Sequence, residues 1–128
     1  MKGMDGMSRK LDAAIAEALG YEVKPAPRRS RYANDYIMYS GGKWRPVPEY
    51  SKRGNYMLEL DAEMRERGWQ LDLSCKNNIV PGVVSFRSAY SKKDKYGWRN
   101  YKNAEAETEP LARALAVYKA LTGKEWTE

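Results

Sequence analysis

Apolar residues recur at Leu11, Ala14, Ile15, Ala18 and Leu19, the i, i+3, i+4, i+7, i+8 spacing of one helical face. Ser8 stands before this stripe and Gly20 is placed to end it in a left-handed cap, which predicts a first helix over residues 8 to 20. The stripe is narrow and rich in alanine, suiting close packing on a sheet. Residues 21 to 34 hold two prolines and several arginines and read as an extended connection. Asp35 to Ser40 reads as a short strand, Gly41-Gly42 as its turn, and Lys43 to Tyr50 as a second extended loop held open by Pro46 and Pro48.

Farther along, Ser51 is placed to cap a second helix reaching Arg67, with Met57, Leu60 and Met64 inward, Glu59, Glu63 and Glu66 outward, and Gly68 at its end. Trp69, Leu71, Leu73 and Cys75 alternate with Gln70, Asp72 and Ser74, the period of a strand with one apolar and one polar face. Asn77-Asn78 marks a turn. Strands are expected from Val83 to about Tyr90 and from about Gly97 to Ala106, joined by the basic turn Lys92-Lys93-Asp94-Lys95. Thr108 and Pro110 open a last helix whose expected buried face is Leu111, Ala114, Leu115, Tyr118, Leu121 and Thr122, closed by Gly123. Helix, strand, helix, three-strand meander and helix make an α+β chain: one small antiparallel sheet of about four strands packed with three helices, sandwich-like.

Composition narrows what such a domain does. A length of 128 residues with 42% apolar and 31% charged residues fits one globular domain, expected over residues 8 to 128 behind a flexible stretch of residues 1 to 7. No apolar run approaches the roughly 18 residues needed to cross a bilayer, and the first residues lack the apolar stretch of a secretory signal. A cytoplasmic protein, in the host cell, is the expectation, and Cys75, the single cysteine, agrees with a reducing compartment. The net charge of +6 raises the local concentration of anions. With no histidine anywhere, the commonest general base and the commonest metal ligand are both missing, so zinc sites and His-dependent triads drop out. No carboxylate pair reads as acid and base. A binding protein with no cofactor, rather than an enzyme, is expected.

The run from Lys10 to Gly20, the segment Pro48-Glu49-Tyr50-Ser51 before the second helix, Gly68-Trp69 after it, and the closing run from Ala104 to Leu115 together resemble the phage ABA sandwich domain, a family of small phage and prophage proteins. These pieces are packing and capping signals. The resemblance therefore implies fold and phage origin, with helices on both faces of a sheet, and carries no catalytic residue across. The Arg-rich and Trp-rich insert between the first two helices departs from the family pattern.

Aromatics and cations stand side by side in Arg28-Arg29-Ser30-Arg31-Tyr32, in Lys43-Trp44-Arg45 and in Lys95-Tyr96-Gly97-Trp98-Arg99. An aromatic ring offers a stacking face to a base while a neighbouring guanidinium takes a phosphate. On this reading Arg28, Arg29, Trp44, Arg45, Arg87, Tyr96, Trp98 and Arg99 form a site for a small anionic nucleotide. The plain alternative makes the indoles of Trp44 and Trp98 core or rim anchors and the cations solvated. Gly41-Gly42-Lys43 lacks the spacing of a phosphate-binding loop, and Lys92, Lys93 and Lys95 read as the ordinary decoration of a hairpin tip. Phage-like fold and nucleotide-like chemistry combine into one expectation: an anti-defence sponge that sequesters a cyclic nucleotide or cyclic ADP-ribose immune signal, assembled as a homo-oligomer. Nucleic-acid binding and inhibition of a host enzyme are the alternatives.

Overall fold

The computed structural model describes residues 2–27, 35–71, 78–80, 83–93, 95–96 and 99–126. It has α1 (Lys2–Ala18), β1 (Glu22–Pro25), β2 (Tyr36–Ser40), β3 (Lys43–Pro46), α2 (Asn55–Glu66), β4 (Gln70–Leu71), β5 (Asn78–Val80), β6 (Val83–Lys93), β7 (Arg99–Ala106) and α3 (Glu109–Thr122). The α+β class holds, but the strands do not make one four-stranded sheet. They form two antiparallel sheets, β1-β2-β3 and a second one built on the long strand β6, which pairs with β4, β5 and β7.

In the first sheet β2 is the strand expected over Asp35 to Ser40, while its neighbours β1 and β3 come from segments expected to be open loops. Both contain proline, and both end on it: Pro25 closes β1 and Pro46 closes β3. A strand-terminal proline on an edge strand needs no ladder donor, so it does not prevent pairing. Gly41 and Gly42, with φ of 65° and 84°, form the two-residue turn that sets Ser40 opposite Lys43, the link that positive φ at both central positions makes possible. Past Pro46, the Val47 amide still donates to the Tyr36 carbonyl at 3.1 Å.

Other boundaries moved for similar local reasons. The first helix begins at Lys2, ahead of Ser8. The second begins only at Asn55, behind Gly54, because Ser51 is buried and its amide is already engaged by Asp12. Asn78, expected in a turn, opens β5, and the run from Asp72 to Asn77, which includes Leu73 and Cys75, lies outside the described residues.

On α3 the buried face is Ala112, Arg113, Ala114, Ala116, Val117 and Ala120, while Leu111, Leu115, Tyr118 and Leu121 are only half-buried. The helix is rotated from its larger apolar side chains onto its alanines, which let it approach α1, α2 and the β6–β7 pair together. Thr108 caps it as expected, and Gly123 closes it in the left-handed conformation. The core then gathers Leu11, Ile15 and Leu19 of α1, Met38, Val47, Tyr50, Leu60 and Met64, Trp69, Tyr90 and Val117. Leu60→Ala should cost about 2–5 kcal/mol in denaturant unfolding, while Leu58→Ala, at a position 77% exposed, should stay within about 0.5 kcal/mol of the parent.

Two polar networks run through this core. Tyr90 donates its hydroxyl to Asp61, and Arg113 binds the other oxygen of Asp61 at 2.8 Å and reaches Ser88, tying α2, α3 and β6 together. In the second, Asp12 has no exposed surface, accepts the Ser51 amide at 2.9 Å and pairs with Arg9 at 3.0 Å. Arg9 in turn holds Asp35 at 2.7 Å and the carbonyls of Val47 and Pro48. Burial pushes the Asp12 carboxyl up to about 6, against the opposing pull of the Ser51 hydrogen bonds and the Arg9 charge. The folded state thus holds this proton more tightly than the unfolded chain does. Asp12 contributes stability that is complete below about pH 4 and lost as pH rises through 6. Unfolding the parent and Asp12→Asn at pH 4, 5.5 and 7 should show the difference between them shift against the parent by up to about 3 kcal/mol across that range. A difference independent of pH would contradict it.

Candidate functional site

The sequence-predicted residues divide among several places. In antiparallel pairs, residues directly opposite share a face, so the register Tyr39↔Trp44 puts these two rings on one side of the first sheet and Met38↔Arg45 puts that pair on the other. Trp44 is 36% exposed and Tyr39 44%; their rings meet edge-on with centroids 5.4 Å apart. The ammonium of Lys24, from β1, lies 4.1 Å from the centre of the Trp44 ring, a cation–π contact. Arg45 lies on the face that carries buried Met38, away from the indole beside it in sequence.

Arg87 is on β6 of the other sheet, directly across from Glu105 and ion-paired with it at 3.2 Å. Tyr96 is 73% exposed, with the Lys95 ammonium 5.0 Å from its ring centre. Arg99 opens β7, where only its backbone is described, and Arg28, Arg29 and Trp98 lie outside the described residues. The predicted set is therefore spread over two sheets, and within the described residues Trp44 and Arg45 do not face one ligand.

Arg45 instead lines a cleft of about 480 Å³, bounded by Arg9 and Asp35, by the chain from Pro46 to Glu49, and by Arg53, Tyr56 and Glu59. That volume is in the range of small-ligand sites. The Nε of Arg45 is buried and has no hydrogen-bond partner among the described residues. A buried donor left unmade costs roughly 1–3 kcal/mol, so such an atom asks for an acceptor. The other two arginines of the cleft are engaged, Arg9 by Asp35 and Asp12, Arg53 by Glu49 at 2.9 Å.

Behind Arg45 sits a ring of phenols and carboxylates. Burial pushes the Tyr50 hydroxyl well above the usual tyrosine range; Glu59 pushes it the same way and Arg45 opposes. The Tyr21 hydroxyl, also raised by burial and by the charge of Glu63, donates to Glu63 at 3.2 Å, and Arg67 closes on Glu63 from the next turn of α2. Both phenols remain protonated at neutral pH and are suited to donate hydrogen bonds, not to act as bases.

Arg9, Tyr56 and Glu59 were not singled out from the sequence. One signal was present: Asp12 interrupts the apolar run of α1 at a position where Asp12, Ala16 and Leu19 share a face, which called for a cation nearby such as Arg9. No protein-family profile and no curated protein matches this sequence.

Proposed function

We propose that this chain is a non-enzymatic phage protein that binds and sequesters a phosphorylated nucleotide, cyclic immune signals included, as an anti-defence sponge. The observation that carries the reading is Arg45, which lines a cleft of about 480 Å³ and whose buried Nε has no hydrogen-bond partner among the described residues. A phosphate oxygen is the acceptor that guanidinium geometry favours. Tyr56, half-buried in the first turn of α2, adds an aromatic wall, and the N-terminal end of that helix favours negative charge beside it. The buried Asp12 and the half-buried Asp61 are both spent on holding the fold together, which supports binding without turnover.

The open Tyr39–Trp44 face with Lys24 favours a second reading, stacking of single-stranded nucleic acid on the outside of the first sheet. The same exposed rings supply a surface for self-association, and a homodimer is part of the proposal. Light scattering at micromolar concentration should give a mass of at least two chains, and a monomeric mass would remove that part.

Incubating the protein with cyclic nucleotides and then heating it should release them chemically unchanged. Recovery of a linear product would make the protein an enzyme. Arg45→Lys, which keeps the charge but loses the planar fork, should weaken retention about tenfold. If retention is instead unaffected, and Trp44→Ala costs about 1–3 kcal/mol in binding to a single-stranded oligonucleotide with steep salt dependence, the second reading replaces the first.

A further inference from the structure

The charges lining the Arg45 cleft can be paired off one by one. Arg9 lies between Asp35 and Asp12, and Arg53 is matched by Glu49. Among the described residues, this leaves Arg45 and Glu59 as the lining charges with no hydrogen bond or ion pair to another side chain. Both line the same cleft, and each is near enough to the buried Tyr50 hydroxyl for its charge to act there, Glu59 raising and Arg45 lowering its proton affinity. With Asp12 behind Arg9, the surroundings hold one more carboxylate than cations. Such a cleft has one guanidinium to give to an anion, and a second negative charge brought in with it would meet Glu59.

Nucleotides differ in this respect. A terminal phosphomonoester has a second ionisation near pH 6 and carries about −1.5 to −2 at neutral pH. A phosphodiester closed into a ring has no second proton to lose and carries a single charge. Its free 2′-hydroxyl, and in adenosine, guanosine and cytidine a base amine, can still donate a hydrogen bond to a carboxylate such as Glu59.

We infer that the cleft selects nucleotides whose phosphate carries one negative charge, as in a cyclic phosphodiester, over linear nucleotides with a dianionic terminal phosphate, and that Glu59 is the specificity-determining residue. This rests on the nucleotide reading given above. Glu59 acts by repelling the second charge and by accepting a hydrogen bond from the sugar or base. Because it is exposed, the discrimination is moderate and strongest at low ionic strength.

The test is calorimetric titration of the full chain, in low salt at pH 7.5, with the 3′,5′-cyclic and the linear 5′-monophosphates of adenosine, guanosine, cytidine and uridine. For at least one nucleoside, the cyclic form should bind about fivefold or more tightly than the linear form. Glu59→Gln, a surface change that removes the charge and keeps the shape, should bring the two within about twofold by improving the linear ligand. Arg45→Lys should weaken both. If linear ligands bind as well as cyclic ones to the parent while Arg45→Lys still weakens both, the selectivity inference is overturned and the nucleotide site stands. A cyclic preference that survives intact in Glu59→Gln overturns it in the same way. Should none of the eight ligands bind, or Arg45→Lys change nothing, the nucleotide reading fails and the inference with it.

Discussion

A carboxylate with no exposed surface has to be surrounded by donors, and Asp12 draws its donors from opposite ends of a long stretch of chain. One oxygen takes the amide of Ser51 and the other takes Arg9, one helical turn earlier. Since Arg9 also binds Asp35 and the carbonyls of Val47 and Pro48, a single buried charge fixes α1, the start of β2 and the approach to α2 relative to one another. The cleft is the space left between those three. Its walls are thus held by polar bonds that would be lost together, while its floor, Arg45, is carried on a sheet that depends on the same anchors. The alternative of leaving Asp12 charged and unpaired in the core would cost several kcal/mol, which is why the segments cannot drift apart independently.

The helices were readable in the sequence because their caps and periodicity are local. Thr108 and Gly123 bound α3 where expected, and Gly68 follows α2. The inward faces of α1 and α2, with Leu11, Ile15 and Leu19 on one and Leu60 and Met64 on the other, are those expected; what was not readable was which side α3 turns inward. On α3 the larger side chains suggested Leu111, Leu115 and Tyr118, but the choice was made by Arg113, whose partners Asp61 and Ser88 are 52 and 25 residues away. The two outer strands of the first sheet, β1 and β3, were missed for a different reason. Proline was read as a breaker at Pro25 and Pro46, whereas its effect depends on whether the strand is an edge and whether the position needs its donor, facts that belong to the assembled sheet.

The candidate site was legible in part. Arg45 and Trp44 stood out by chemistry, and both are accessible features of the fold. Their adjacency in sequence suggested a shared ligand, and strand geometry sends neighbours to opposite faces. Arg87 looked free until its cross-strand neighbour Glu105 was known. Glu59 looked like an ordinary solvated helix residue, and only the pairing of the other lining charges apart from Arg45 sets it apart.

The two-glycine link between β2 and β3 has a consequence for how such a protein can diverge. A strand that alternates indole outward and guanidinium inward is a two-sided device whose phase is set by turn length alone. Inserting or deleting one residue at Gly41-Gly42 would exchange the sides, sending the guanidinium to solvent and the indole toward the core, with no change in either residue. Point substitutions at Trp44 or Arg45 alter one surface at a time. Changes in the length of that turn alter both at once, so at the hairpin tip a single inserted or deleted residue would change the chemistry of two surfaces together.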